Sequence, residues 1–144
     1  SKPVTPAFIV AALLWNAVDR EHERLTKTGM TPTDAMSIAA DRFLSQQINR
    51  LAVPRRITQV TREIWAMQIG LSKRSRRRVR RVVEHPRFRA AYDFLELRAQ
   101  SGEPVEQLSD WWGRYQVASQ PTRSSMLDEL KGRSNPKGRR HHRG

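Results

Sequence analysis

Apolar residues recur along this chain at steps of three and four, the spacing that gathers side chains on one face of a helix. Residues 6–28 form the first such element, with Thr5 as its cap and Gly29 at its end. Its first half, AFIVAALLW, is apolar nearly all round and is expected to sit centrally, whereas 19–27 is charged and should emerge into solvent. A second helix is predicted over 32–52. Thr31 and Asp34 resemble a capping box, and Met36, Ala40, Phe43, Leu44, Ile48 and Leu51 form the stripe. A third runs over 54–71 through Ile57, Val60, Ile64, Met67 and Leu71, with Trp65 read as core. A short fourth covers 74–84 and stops at His85-Pro86. The fifth, 86–100, carries Phe88, Tyr92, Leu95 and Ala99 on one face and ends at Gly102. The sixth, 104–117, turns Val105, Leu108, Trp112 and Tyr115 inward.

Proline marks these starts: Pro6, Pro32, Pro54, Pro86 and Pro104 each stand where a first helical turn tolerates it. No alternating strand pattern and no Asn-Gly or Asp-Gly turn intervenes. The pattern therefore predicts an all-α chain, about six helices in an irregular bundle. After Gln116 the text becomes polar and rich in Ser, Gly and Pro. A flexible basic tail is expected over 118–144, with at most a docked turn at MLDEL, 126–130. Lys131, Arg133, Lys137, Arg139, Arg140 and Arg143 would give it non-specific attraction for phosphate. The chain thus divides into a helical body, 1–117, and a mostly disordered tail.

Charge changes the picture most in the fourth helix. Val79, Val82 and Val83 share one arc, while Lys73, Arg74, Arg77, Arg78, Arg80 and Arg81 spread over the opposite one. Like charges one turn apart repel. Between Ser72 and Tyr92 the only acid is Glu84, so nothing in that stretch intersperses the band. A polyanion neutralises such a face, and the planar arginine fork binds two phosphate oxygens at once. Arg55, Arg56 and Arg62 lie near the start of helix three, where the helix dipole disfavours cations, so they too read as ligand contacts. Arg87 and Arg89 stand close by in sequence.

The whole chain of 144 residues carries a formal charge of +13, which points to RNA, DNA or an anionic surface. With 38 % hydrophobic residues and four Trp it can still build a core. The longest apolar run, 7–15, is nine residues, too short to span a bilayer. Cysteine is absent, which excludes disulfides, thiolate metal sites and a Cys nucleophile in this chain. No signal-peptide pattern opens the chain. It begins with Ser, so it is expected to be a segment of a longer protein or a processed one.

Catalytic patterns do not emerge. There is no Asp-x-Asp pair to hold divalent metal and no phosphate-cradling Gly-rich loop. Asp19, Glu21 and Glu23 read as a solvated surface, His22 and His85 as isolated residues, and His85 as structural. Neither a catalytic residue nor a metal ligand is assigned.

Four stretches carry a resemblance: TPAFIVAALLW at 5–15, LAVPRRITQVTREIWAMQIGLSKR at 51–74, RRVVEHPRFRAAYDFLELRA at 80–99 and LSDWWGRYQ at 108–116. In this order they resemble the C-terminal third of the bacterial poly(A) polymerases, in the nucleotidyltransferase superfamily shared with CCA-adding enzymes. The EHPRFRAAYDFLELRA stretch and the Trp pair are the most specific parts. The resemblance implies an enzyme that adds AMP from ATP to RNA 3′ ends and so promotes RNA decay in the cytoplasm. It also implies that ATP and Mg2+ belong to a catalytic head absent from this chain, so no cofactor falls on these residues. What carries over is RNA binding by Arg55, Arg56, Arg62, Lys73, Arg74, Arg76, Arg77, Arg78, Arg80, Arg81, Arg87 and Arg89. Trp111 is the candidate for stacking on a base, since Trp112 fits the buried stripe.

The partners implied are RNA 3′ ends and proteins of RNA decay or RNA chaperoning. The density of arginine at 76–78 leaves room for a protein partner or a regulatory role of the tail. A different reading makes the chain a stand-alone basic adaptor for an acidic protein. Membrane-surface association is weaker, because the apolar side of helix four is three valines without Trp, Phe or Leu.

Overall fold

Four helix starts in this protein are capped by a hydroxyl side chain. A computed structural model describes residues 5–134, apart from the side chains of residues 46–51 and 131–134. Seven helices and no strand occur among the described residues: α1 (Pro6–Lys27), α2 (Pro32–Leu51), α3 (Arg55–Ser72), α4 (Arg76–Glu84), α5 (Phe88–Gln100), α6 (Glu106–Val117) and α7 (Gln120–Ser134). Thr5 accepts the backbone N–H of Phe8 at 3.2 Å and Pro6 follows it, so α1 begins with a capped, pre-set turn. Gly29 closes α1 in the left-handed conformation. Thr31 accepts the N–H of Asp34 at 3.2 Å and starts α2. Ser75 does the same for Arg78 at 3.3 Å and starts α4.

The centre belongs to α3 rather than α1. The expectation that the apolar first half of α1 sits centrally is corrected: Leu13 is 77 % exposed and Ile9 is also exposed. Only Ala7, Ala11, Trp15, Val18 and Leu25 of α1 are buried. By contrast α3 buries residues on several sides, because it packs against α1, α2, α4 and α5. Trp65 is fully buried, as its core reading requires, and donates its indole N–H to the Ala11 carbonyl at 3.2 Å.

Two apolar clusters flank this axis. One joins Ala11, Trp15 and Val18 of α1 with Met36, Ala39, Ala40 and Leu44 of α2, Ile64, Trp65 and Ile69 of α3, and Phe94 of α5. The other joins Leu71 of α3 with Val79 and Val82 of α4, Phe88, Tyr92 and Leu95 of α5, Trp111, Trp112 and Tyr115 of α6, and Met126 and Leu127 of α7. Gln68, buried on α3, ties the axis to α5: it donates to the Ala91 carbonyl at 3.2 Å and accepts from Arg98 at 2.8 Å. A buried amide satisfied on both sides fixes register where apolar contacts alone would not.

The seventh helix is the main departure from the expected flexible tail. Ser119 caps it, accepting the Thr122 N–H at 3.4 Å, and Pro121 sits in its first turn. Arg123 then donates to the Tyr115 and Gln116 carbonyls, both at 2.9 Å, and so satisfies the open end of α6. Met126 and Leu127 are buried, which makes the MLDEL segment part of a docked helix. The side chains of the stripe positions Ile48 and Leu51 and of the tail cations Lys131 and Arg133 are not described, and Lys137, Arg139, Arg140 and Arg143 lie outside the described residues.

Candidate nucleic-acid interface

Helix α4 is short, and its packing leaves most of its circumference to arginine. Val79 and Val82 are buried against the core and Val83 is partly covered. Arg77 and Arg81, one turn apart, oppose this apolar arc, and Arg78 and Arg80 flank them. All four are exposed, and with Lys73 they have no ion-pair partner among the described residues. Three arginines also occupy the first turn, where the free N–H groups already make the helix end positive. The helix dipole and like-charge repulsion both disfavour this arrangement.

The other predicted arginines are more occupied. Arg76 pairs with Asp128 of α7. Arg62 pairs with Asp41 of α2. Arg87 binds Glu63 at 3.0 Å. Arg89 lies 3.4 Å from Asp93 and 3.3 Å from Gln116, with its guanidinium 5.7 Å from the Tyr92 ring centre. These pairs hold helices together and reduce, without removing, what each arginine offers a ligand. Arg55 and Arg56 are exposed in the first turn of α3. The structure does not bring them to α4: the 18 residues of α3 place its two ends roughly 25 Å apart. Instead Arg56 and Arg87 line one groove with Thr5, Ala7, Val60 and Glu63.

Trp111 is corrected as an open stacking platform. It is only 6 % exposed, and its ring stacks on Tyr115 with centres 5.1 Å apart and planes at 11°. Arg74 lies over the same indole, 5.2 Å from its centre. Trp112 is fully buried, as the stripe predicts, and donates to the Leu71 carbonyl at 2.9 Å. Beside Trp111, the side chains of Arg74, Gln107, Asp110 and Arg114 border a cleft of about 430 Å3. Gln107, Asp110 and Arg114 were not among the residues expected from sequence, although their spacing from Trp111 along one face of α6 was the available signal.

The acidic group of α1 is also less solvated than expected. Glu21 binds Arg24 at 2.7 Å and pairs with Arg42 of α2. Asp19 lies 3.9 Å from His22, and burial, with Glu23 adding to it, holds its carboxyl above the usual range. His85 is structural: its Nδ1 accepts the Arg87 N–H at 2.9 Å at the turn into α5. Among the described residues no group of three or more His, Asp or Glu side chains is placed to hold a metal ion. No described helix is long and apolar enough to cross a membrane.

Comparison with known proteins agrees with the resemblance seen in the sequence. The chain is 37 % identical over 139 residues to a protein named poly(A) polymerase I from Escherichia coli O6:H1, covering 94 % of this chain and 30 % of that protein. The protein of that name from Salmonella typhi is 36 % identical over 140 residues, covering 95 % and 30 %. The one from Haemophilus influenzae is 37 % identical over 137 residues, covering 93 % and 30 %. This chain thus spans about 30 % of the length of these relatives. The family model described as the polymerase A arginine-rich C-terminus matches residues 28–144, and the chain belongs to that family.

Proposed function

We infer that this chain is the RNA-holding C-terminal region of a poly(A) polymerase, an enzyme that adds AMP from ATP to RNA 3′ ends. One observation carries the reading: the ridge of Arg77, Arg78, Arg80 and Arg81, exposed, unpaired among the described residues and opposed to the buried valines of α4. An enzyme that extends RNA of any sequence needs grip on the backbone without preference for bases. Phosphate contacts supply that, because every nucleotide presents the same anion. On this reading the Mg2+ and ATP of adenylyl transfer would be held by other parts of the enzyme. The same reading implies a cytoplasmic setting and protein partners from RNA decay or RNA chaperoning.

The test is titration of a labelled, unstructured RNA oligonucleotide at two salt concentrations. If Lys73, Arg77, Arg78, Arg80 and Arg81 each neutralise one phosphate, affinity should fall about a hundredfold between 50 and 200 mM salt. An affinity that barely moves with salt contradicts phosphate tracking. Failure to bind at low salt, with selective capture of an acidic protein, favours the adaptor reading instead.

A further inference from the structure

Gln107, Asp110, Trp111 and Arg114 stand at steps i, i+3, i+4 and i+7 of α6 and so share one helix face. Arg74, at the entry to α4, joins them, and the five side chains line one open cleft. The indole is set rigidly in the core by Trp112 and Tyr115. Asp110 and Arg114 are exposed and have no charged partner among the described residues. The cleft therefore offers a flat cation, an amide, an acceptor-only carboxylate and a second guanidinium within a space of about 430 Å3.

We propose that this cleft is a nucleotide subsite for single-stranded RNA, selective for bases that carry an exocyclic amino group. It rests on the reading of α4 as an RNA track and extends it from grip to base preference. The guanidinium of Arg74, lying over Trp111, is a planar surface of the kind on which unstacked bases settle. The Arg114 fork matches a phosphate. Asp110 is the informative member. A carboxylate lining a cleft that takes RNA repels the polyanion, which costs affinity unless it meets a hydrogen-bond donor. Amino groups of adenine, cytosine and guanine are such donors. The uracil edge instead flanks its single N–H with two carbonyl oxygens, which a carboxylate repels. Gln107 supplies both a donor and an acceptor to the rest of the base edge.

The sign of one substitution separates this from plain electrostatics. Removing Asp110 makes the chain more positive, so if its charge only repels RNA, Asp110→Ala must tighten binding to every sequence alike. The experiment is fluorescence anisotropy of labelled oligo(A) and oligo(U) of equal length with the 144-residue chain at fixed salt. The subsite predicts that Asp110→Ala weakens oligo(A) binding about tenfold and leaves oligo(U) binding unchanged or tighter. It also predicts that Asp110→Asn, which keeps one acceptor oxygen, retains part of the preference. Equal tightening for both oligonucleotides, or equal weakening, overturns the subsite while the RNA track stands. A wild-type chain that binds neither at low salt overturns the track itself.

Discussion

The indole N–H of Trp15 donates to Glu103 Oε2 at 2.9 Å, joining α1 to the turn between α5 and α6 across 88 residues of sequence. The other carboxylate oxygen accepts from Arg98 Nε at 3.1 Å, and Arg98 lies over the Trp15 ring at 4.7 Å. Arg98 continues to Gln68 on α3. Four side chains thus fasten α1, α3 and α5 at one point, and Glu103 is the single acceptor that serves both Trp15 and Arg98. Glu103→Ala leaves an indole N–H and a largely covered guanidinium without their partner. The expected loss is about 1–3 kcal/mol in urea unfolding, with Glu103→Gln, which keeps one acceptor oxygen, in between. An Ala variant as stable as wild type would mean that water replaces the carboxylate at no cost.

Asp19 sits near this point, and its carboxyl is raised above its ordinary 3.8 chiefly by burial, then by Glu23, with Arg98 opposing. The folded state therefore holds a proton that the unfolded chain has already released. The stability that this proton confers is full below 3.8 and is lost as pH rises through the folded value. Asp19→Asn has no such loss. Melting curves for the two proteins should coincide near pH 3 and separate as pH rises to neutral, with the Asn variant more stable. A constant gap across that range would assign the effect to packing instead of charge.

The approach of α6 to α5 depends on a glycine within a helix. A Cβ built at Gly113 would lie 2.7 Å from the Tyr92 hydroxyl oxygen, and Tyr92 is a buried ring that cannot simply swing aside. Gly113→Ala should therefore destabilise by about 1–3 kcal/mol despite the gain of up to about 1 kcal/mol in helix propensity. Gly70 is a control of the opposite kind, since its added Cβ meets Val82 at an ordinary 3.4 Å. If both Ala variants were equally stable, the close approach would not be limiting.

Leu127 tests whether α7 belongs to the body. It is buried in the cluster that holds Trp111, Trp112 and Tyr115. Leu127→Ala should cost about 2–4 kcal/mol, as for other buried leucines, whereas substitution in a loose tail would cost nothing measurable.

That contrast shows where the sequence was legible. The helices through α6 follow apolar stripes and prolines, so local pattern located them to within a few residues. Helix α7 has too little apolar content for such a stripe; its order comes from Met126 and Leu127 finding a pocket and from Arg123 closing the end of α6. Its local signals were the MLDEL segment and, at its start, Ser119 and Pro121. The inward and outward faces of α4 were readable because valine and arginine differ so sharply. The covering of Trp111 was not, since it depends on Tyr115 one turn on and on Arg74 from a different segment. Likewise, composition could not tell which arginines are paired: Asp41 and Asp128 are distant in sequence from Arg62 and Arg76.

The remaining prediction concerns the α4 ridge. Arg77, Arg80 and Arg81 are exposed, face away from Val79 and Val83, and make no ion pair among the described residues. Arg77 and Arg81 stand four residues apart, a spacing at which like charges repel. Replacing all three with Ala removes this repulsion and raises helix propensity slightly, so the chain should keep its helicity and melt no lower than wild type. RNA binding should respond in the opposite direction. Each lost phosphate contact reduces the salt slope by about 0.7 on single strands, so the triple variant should flatten it by about 2 and bind more weakly at low salt. Circular dichroism and RNA titration together make the outcome decisive. Weaker binding with intact helicity assigns the arginines to the polyanion; lost helicity would make them part of the fold; unchanged binding would move the RNA track away from α4.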